Sequence, residues 1–137
     1  MLRRFDDWPR RLHAFIRARR EMHFEWGRND CCTFALEGNV VALTGIDLLP
    51  GVPRPVSEFG AARFLRARGH EDATGLATEL LGGPIERVTL AQRGDVVALP
   101  HGDEATLGVC VGGDIAAPAQ AGLEFFPLRL GLLAWRV

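Results

Sequence analysis

Lysine and tyrosine are absent from this chain of 137 residues, and cysteine occurs only three times. Without lysine, neither Gly82-Gly83 nor Gly112-Gly113 can be completed into a phosphate-binding loop, which needs a lysine and a hydroxyl residue behind its glycines, and both pairs read as turns. Cys31 and Cys32 are adjacent and would bridge only with strain, and Cys110 is left over, so there is no disulfide framework and a reducing compartment fits best. A structural zinc site needs four ligands in compact pairs, and these three thiols form no such pattern, so no metal and no cofactor is expected.

No run approaches the roughly 20 apolar residues that span a bilayer, and no apolar stretch follows the first arginines, so neither membrane insertion nor a signal peptide is expected. The expected place of synthesis is the cytoplasm. With a formal net charge of -1, the chain as a whole has no electrostatic reason to bind nucleic acid. The arginines do crowd the N-terminus, at Arg3, Arg4, Arg10, Arg11, Arg17, Arg19 and Arg20. No recognition motif follows them, and a solvated helix face is the expected reading.

Hydrophobic residues make up 47% and charged residues 24%, an ordinary globular composition, and the length suits one domain over residues 1–137. Trp8, Leu12, Phe15 and Ile16 share one face of a helix expected over about 7–20, with Asp7 as cap and Pro9 in the first turn. In WGRNDCCTFALEGNVVALTG, Gly27 and Asn29 mark a turn and Asp30 is a good N-cap. A helix then runs from Cys31 at its first position to Leu43 and stops at Gly45. Gly38 inside that helix implies a close backbone neighbour. LPGVPRP is an extended surface connection. Ser57 caps a third helix that buries Phe59, Ala62, Phe64 and Leu65 and ends at Arg68-Gly69; a short helix over Gly75–Leu81 follows. Behind Pro84 the texture turns to short apolar runs, IERVTL, DVVAL, LGVCV, DIAA, GLEFFPL and LLAWRV. Helices over about 7–82 and strands over about 84–137 make an α+β fold with a small antiparallel sheet or open barrel.

A cysteine at a helix N-terminus is favoured as thiolate by the partial positive charge and free N–H groups there, which makes Cys31 a candidate nucleophile. Cys32 lies about 100° further round the helix and is expected in the core. The segment WGRNDCCTF, with Trp26, Gly27, Asp30, Cys31, Thr33 and Phe34, resembles the nucleophile motif of NlpC-type cell-wall cysteine peptidases, which are papain-like. RGDVVAL, with Gly94 and Asp95, resembles the opening of that family's first core strand, and TLGVCVGG its next strand. The chain looks closer still to small phage tail-cluster proteins that share the WG...DC element and an ending like AWRV.

The resemblance implies a cysteine that attacks a peptide carbonyl of the peptidoglycan stem, a histidine base on the second strand and a polar residue that orients it. Here Thr106 stands at the histidine position and Ala117 or Pro118 at the orienting one. Threonine cannot take a thiol proton near neutral pH. His101, in PHGDEA between two strands, is the candidate substitute base; His13, His23 and His70 read as solvated or capping residues. The resemblance therefore implies a virion protein of the phage tail tip or baseplate with hub proteins as partners, degenerate in catalysis and structural in role. The alternative is an active endopeptidase or amidase acting on peptidoglycan. Phe125, Phe126 and Trp135 either fill the core or offer a partner interface.

Overall fold

The computed structural model describes residues 2–137. Helix α1, Trp8–Arg19, lays its apolar stripe inward, with Leu12 buried and Phe15 stacked on Phe34 at 5.2 Å between ring centroids. Asp7 sits at the cap position, yet its carboxylate makes no capping bond and instead accepts from Arg11 Nε at 2.7 Å. The second helical run covers residues 31–44, π-helical over Thr33–Gly38 and α-helical over Asn39–Thr44, and ends on the left-handed Gly45. We call it α2, or the cysteine helix. Helix α3, Glu58–Ala67, is capped by Ser57 Oγ, which accepts from the Gly60 N–H at 2.9 Å; α4, Ala73–Leu81, is capped by Asp72.

Five antiparallel strands follow: β1 Val96–His101, β2 Glu104–Cys110, β3 Asp114–Ala119, β4 Gly122–Pro127 and β5 Leu133–Trp135, in the spatial order β4-β3-β2-β1-β5. The α+β order is as expected, but the strands begin at Val96 and not behind Pro84. IERVTL forms a single 3-10 turn, Val88–Leu90: the Ile85 N–H donates to the Ala134 carbonyl of β5 at 2.8 Å, but no ladder extends from it, and Ile85 and Val88 pack on the sheet face away from the helices.

The sheet is not uniformly zipped. β1 and β2 pair along six positions and so do β3 and β4, whereas β2 and β3 pair only at Val109↔Ala116 and Cys110↔Ile115. Beyond Gly108 the two strands part. Gly108 permits their closest approach, since a Cβ there would lie 2.6 Å from the Ala116 carbonyl oxygen. The cysteine helix packs against both strands where they diverge.

Two clusters form the core: Phe34, Leu36, Leu43, Leu76, Leu107 and Trp135 under the helices, and Val97, Leu99, Cys110 and Ile115 on the opposite sheet face. Trp135 is fully buried and its indole N–H donates to Thr78 Oγ1 at 3.1 Å, so it is core. Phe125, at 41% exposed, is not. Phe59, placed on the buried side of α3 by periodicity, is 72% exposed. Gly38 does have a close neighbour, but it is a side chain: a Cβ there would lie 2.7 Å from the Phe15 ring.

Several N-terminal arginines are structural rather than solvated. Arg4 donates to the Val137 carbonyl at 3.0 Å, to the Arg93 carbonyl at 2.7 Å and to Asp95 Oδ1 at 3.1 Å, and its guanidinium lies over Trp8. Asp95, fully buried, also accepts from Arg136 at 2.9 Å and from the Val137 N–H at 3.2 Å, and so ties both ends of the chain to the start of β1. Among the described residues, no helix is long and apolar enough to cross a membrane.

Candidate functional site

The turn before Cys31 is built from polar side chains that satisfy its backbone. Gly27 has φ +82, and a Cβ there would lie 2.9 Å from the Pro55 carbonyl oxygen, so the turn needs glycine. Its N–H donates to Asp30 Oδ2 at 2.8 Å. Asn29 is fully buried: Oδ1 accepts from Arg19 at 2.8 Å, and Nδ2 donates to the His23 carbonyl at 3.0 Å and to that of Met22 at 3.3 Å. Asp30 Oδ1 accepts from the Thr33 N–H at 2.9 Å, and Thr33 Oγ1 accepts from the Asp30 N–H at 2.9 Å. This is a reciprocal cap with threonine in place of the usual glutamate. The geometry makes Asp30 the N-cap and Cys31 the first residue of the helix.

The π-helical turn that follows accommodates one extra residue and leaves Thr33, Phe34, Ala35 and Leu36 all buried. That anchors the N-terminal end of the helix firmly against the sheet. Thr106 and Leu107 lie on β2 where it no longer pairs with β3, and the Thr106 hydroxyl and the Leu107 backbone are among the groups that lower the Cys31 thiol. Cys32 Sγ lies 3.9 Å from Cys31 Sγ.

Together these contacts hold the Cys31 thiol below its ordinary range. The hydrogen bond from Cys32 is the main cause, burial opposes it, and the Thr106 hydroxyl and Leu107 N–H add to the lowering. Cys32 moves the opposite way, well above the ordinary range, because its proton is held by Cys31 and its surroundings are dry. Cys110 is also raised, by burial. Of the three thiols, only Cys31 is shifted downward.

Cys31 lies in the wall of a cleft of about 810 Å³. Its apolar lining includes Trp26, Leu65, Leu99 and Phe126; Glu58, Glu71, Glu104 and Glu124 add carboxylates. Asp30, Thr106, Ala117, Pro118 and His101 line it too, so the positions singled out from the motif converge on one cavity. Their chemistry differs. His101 is the exposed last residue of β1, paired in register with Glu104, and only Gly102 and Asp103 separate the strands. The expected longer loop is thus a tight hairpin, and the groups acting on the Cys31 sulfur include no histidine. His23 Nδ1 lies 3.1 Å from the Gln120 carbonyl and His70 Nε2 2.7 Å from Glu79, both outside the cleft lining. His13 is exposed on α1. Among the described residues, no group of three or more His, Cys, Asp or Glu is placed to hold a metal ion.

Sequence reasoning missed two elements of the site. Asn29 marks a turn in the sequence, and in the structure its buried carboxamide also ties that turn to Arg19, Met22 and His23. Glu37 and Arg54 both line the cleft and pair with each other, bringing the proline-rich connection onto the cysteine helix. Burial raises the Glu37 carboxyl and Arg54 opposes the shift, while Oε2 is buried without a hydrogen-bond partner. Nothing in the local sequence marks that pairing.

The chain belongs to the family DUF6950, described as a domain of unknown function, which matches residues 3–137. No curated protein matches the chain.

Proposed function

We propose that this chain is a papain-like domain of the NlpC type whose nucleophile position is kept and whose general base is lost, acting as a docking component of a phage tail tip or baseplate. The observation that carries the reading is the pair Cys31 and Thr106. The cysteine stands at a helix N-terminus in the wall of a large cleft, and the strand residue beside it is a threonine. Peptide hydrolysis by a cysteine needs a group that takes the thiol proton and returns it to the departing amine. A threonine hydroxyl can do neither near neutral pH. The tail assignment rests on the WG...DC element and the AWRV ending, with hub proteins as partners.

The alternative, an active peptidoglycan endopeptidase or amidase, has one observation in its favour: His101 lines the same cleft as Cys31. Incubating purified peptidoglycan with the native chain and with Cys31→Ala distinguishes the two. Equal fragment release supports the docking role, and release that depends on Cys31 overturns it.

A further inference from the structure

The sheet has an open edge in its interior. The Cys110 N–H donates to the Asp95 carbonyl at 2.8 Å, on the β1 side, and the Val111 N–H donates to the Asp114 carbonyl at 2.9 Å, on the β3 side. Main-chain groups alternate sides along a strand, so Ala105 and Leu107 turn theirs away from β1 and toward β3. There β3 does not meet them, because its pairing with β2 stops at Val109↔Ala116. Carried on in the same register, Leu107 would face Pro118, which has no N–H to donate. Among the described residues, no loop segment bonds to the main chain of Ala105 either. The space left over is part of the cleft, which Ala105 and Thr106 line from one strand and Ala117 and Pro118 from the other.

The charge around this gap has one sign. Glu58, Glu71, Glu104 and Glu124 line the cleft, are exposed, and form no ion pair among the described residues. The single arginine in the lining, Arg54, is held by Glu37, whose Oε2 is buried without a hydrogen-bond partner.

We propose that the gap between β2 and β3 docks an extended, arginine- or lysine-bearing segment of a partner protein, which lies along β2 and bonds to the main chain of Ala105. The step rests on the docking role just given and names the chemistry of the partner. An added strand gains affinity from main-chain hydrogen bonds, whatever its sequence, and is selected through its alternate side chains. Here the glutamates select for basic ones and repel an acidic segment. Leu99 and Phe126, in the same lining, take the aliphatic stems of those side chains.

The test uses the full chain and three capped octapeptides: alternating arginine and threonine, the same with glutamate for arginine, and the arginine peptide N-methylated at every amide. Fluorescence anisotropy reads binding, and amide hydrogen exchange reads where the peptide lies. The arginine peptide should bind, about tenfold more weakly at physiological than at low salt. The glutamate and N-methylated peptides should bind at least about tenfold more weakly than it does. Exchange at the Ala105 amide should slow about tenfold on binding, and far more than at Thr106, whose amide already turns to β1. Glu104→Gln with Glu124→Gln, both exposed positions that leave the fold intact, should weaken binding several-fold. No binding of the arginine peptide, equal binding of its N-methylated form, or an unprotected Ala105 overturns the proposal. Self-association of the chain that the arginine peptide abolishes would assign the gap to a second copy and overturn it too. A parallel arm with purified peptidoglycan separates the readings. Cys31-dependent fragment release contradicts the docking role itself, while failed peptide binding without such release contradicts only the strand site.

Discussion

The backbone N–H of Thr33 donates to Asp30 Oδ1 at 2.9 Å while the backbone N–H of Asp30 donates to Thr33 Oγ1 at the same distance. The pair closes the first turn of the cysteine helix and fixes where Cys31 points. Replacing Asp30 by Ala should cost about 1–2 kcal/mol, read as a lower urea midpoint with unchanged slope. Asp30→Asn keeps an acceptor for Thr33 and removes a negative charge that opposes ionisation of Cys31. Its alkylation profile should move slightly to lower pH.

The effect of Cys32 carries the opposite sign. The Cys32 thiol is the largest influence lowering Cys31. In Cys32→Ala the thiolate loses that donor, the Cys31 pKa rises, and the pH of half-maximal alkylation shifts upward. Thr106→Val should shift it the same way by less, in keeping with the smaller influence of the hydroxyl. A downward shift in either variant contradicts these assignments.

Thr106→His restores an imidazole at the strand position beside the sulfur. A thiolate–imidazolium pair should form, and alkylation at pH 6 should rise about tenfold. A rate unchanged at pH 6 would mean that residue 106 does not face Cys31 as described.

Asp95 binds Arg4, Arg136 and the C-terminal backbone from a fully buried position. Asp95→Ala leaves the half-buried Arg4 guanidinium without its counter-charge and should cost about 3 kcal/mol. Gly108→Ala drives a Cβ against the Ala116 carbonyl and should cost about 1–3 kcal/mol by forcing β2 and β3 apart. Chemical denaturation monitored by tryptophan fluorescence reads both.

The order of helices before strands, the capping of the cysteine helix by Asp30 and the positions of Cys31 and Thr106 were legible because each rests on local chemistry: cap, turn and motif. Phe59 was misplaced because periodicity identifies an apolar face without showing whether anything covers it, and α3 leaves that residue to solvent. IERVTL reads as a strand in isolation, and only the sheet order shows that it has no partner. The π-turn over Thr33–Gly38, the early parting of β2 and β3 and the Glu37–Arg54 pair all depend on contacts between distant segments. No local pattern encodes them, and they are what shape the cleft around the sulfur.

The central claim is that Cys31 alone among the three thiols is poised as a thiolate. Iodoacetamide labelling of the native chain across pH, with each cysteine followed by peptide mass, tests it most directly. A thiol whose pKa is lowered gains reactivity at lower pH than a free thiol does, so the Cys31 midpoint should fall below about 8.5, with Cys32 and Cys110 unlabelled throughout that range. A Cys31 midpoint at or above the free-thiol value, or labelling of Cys32 in step with it, would contradict the account.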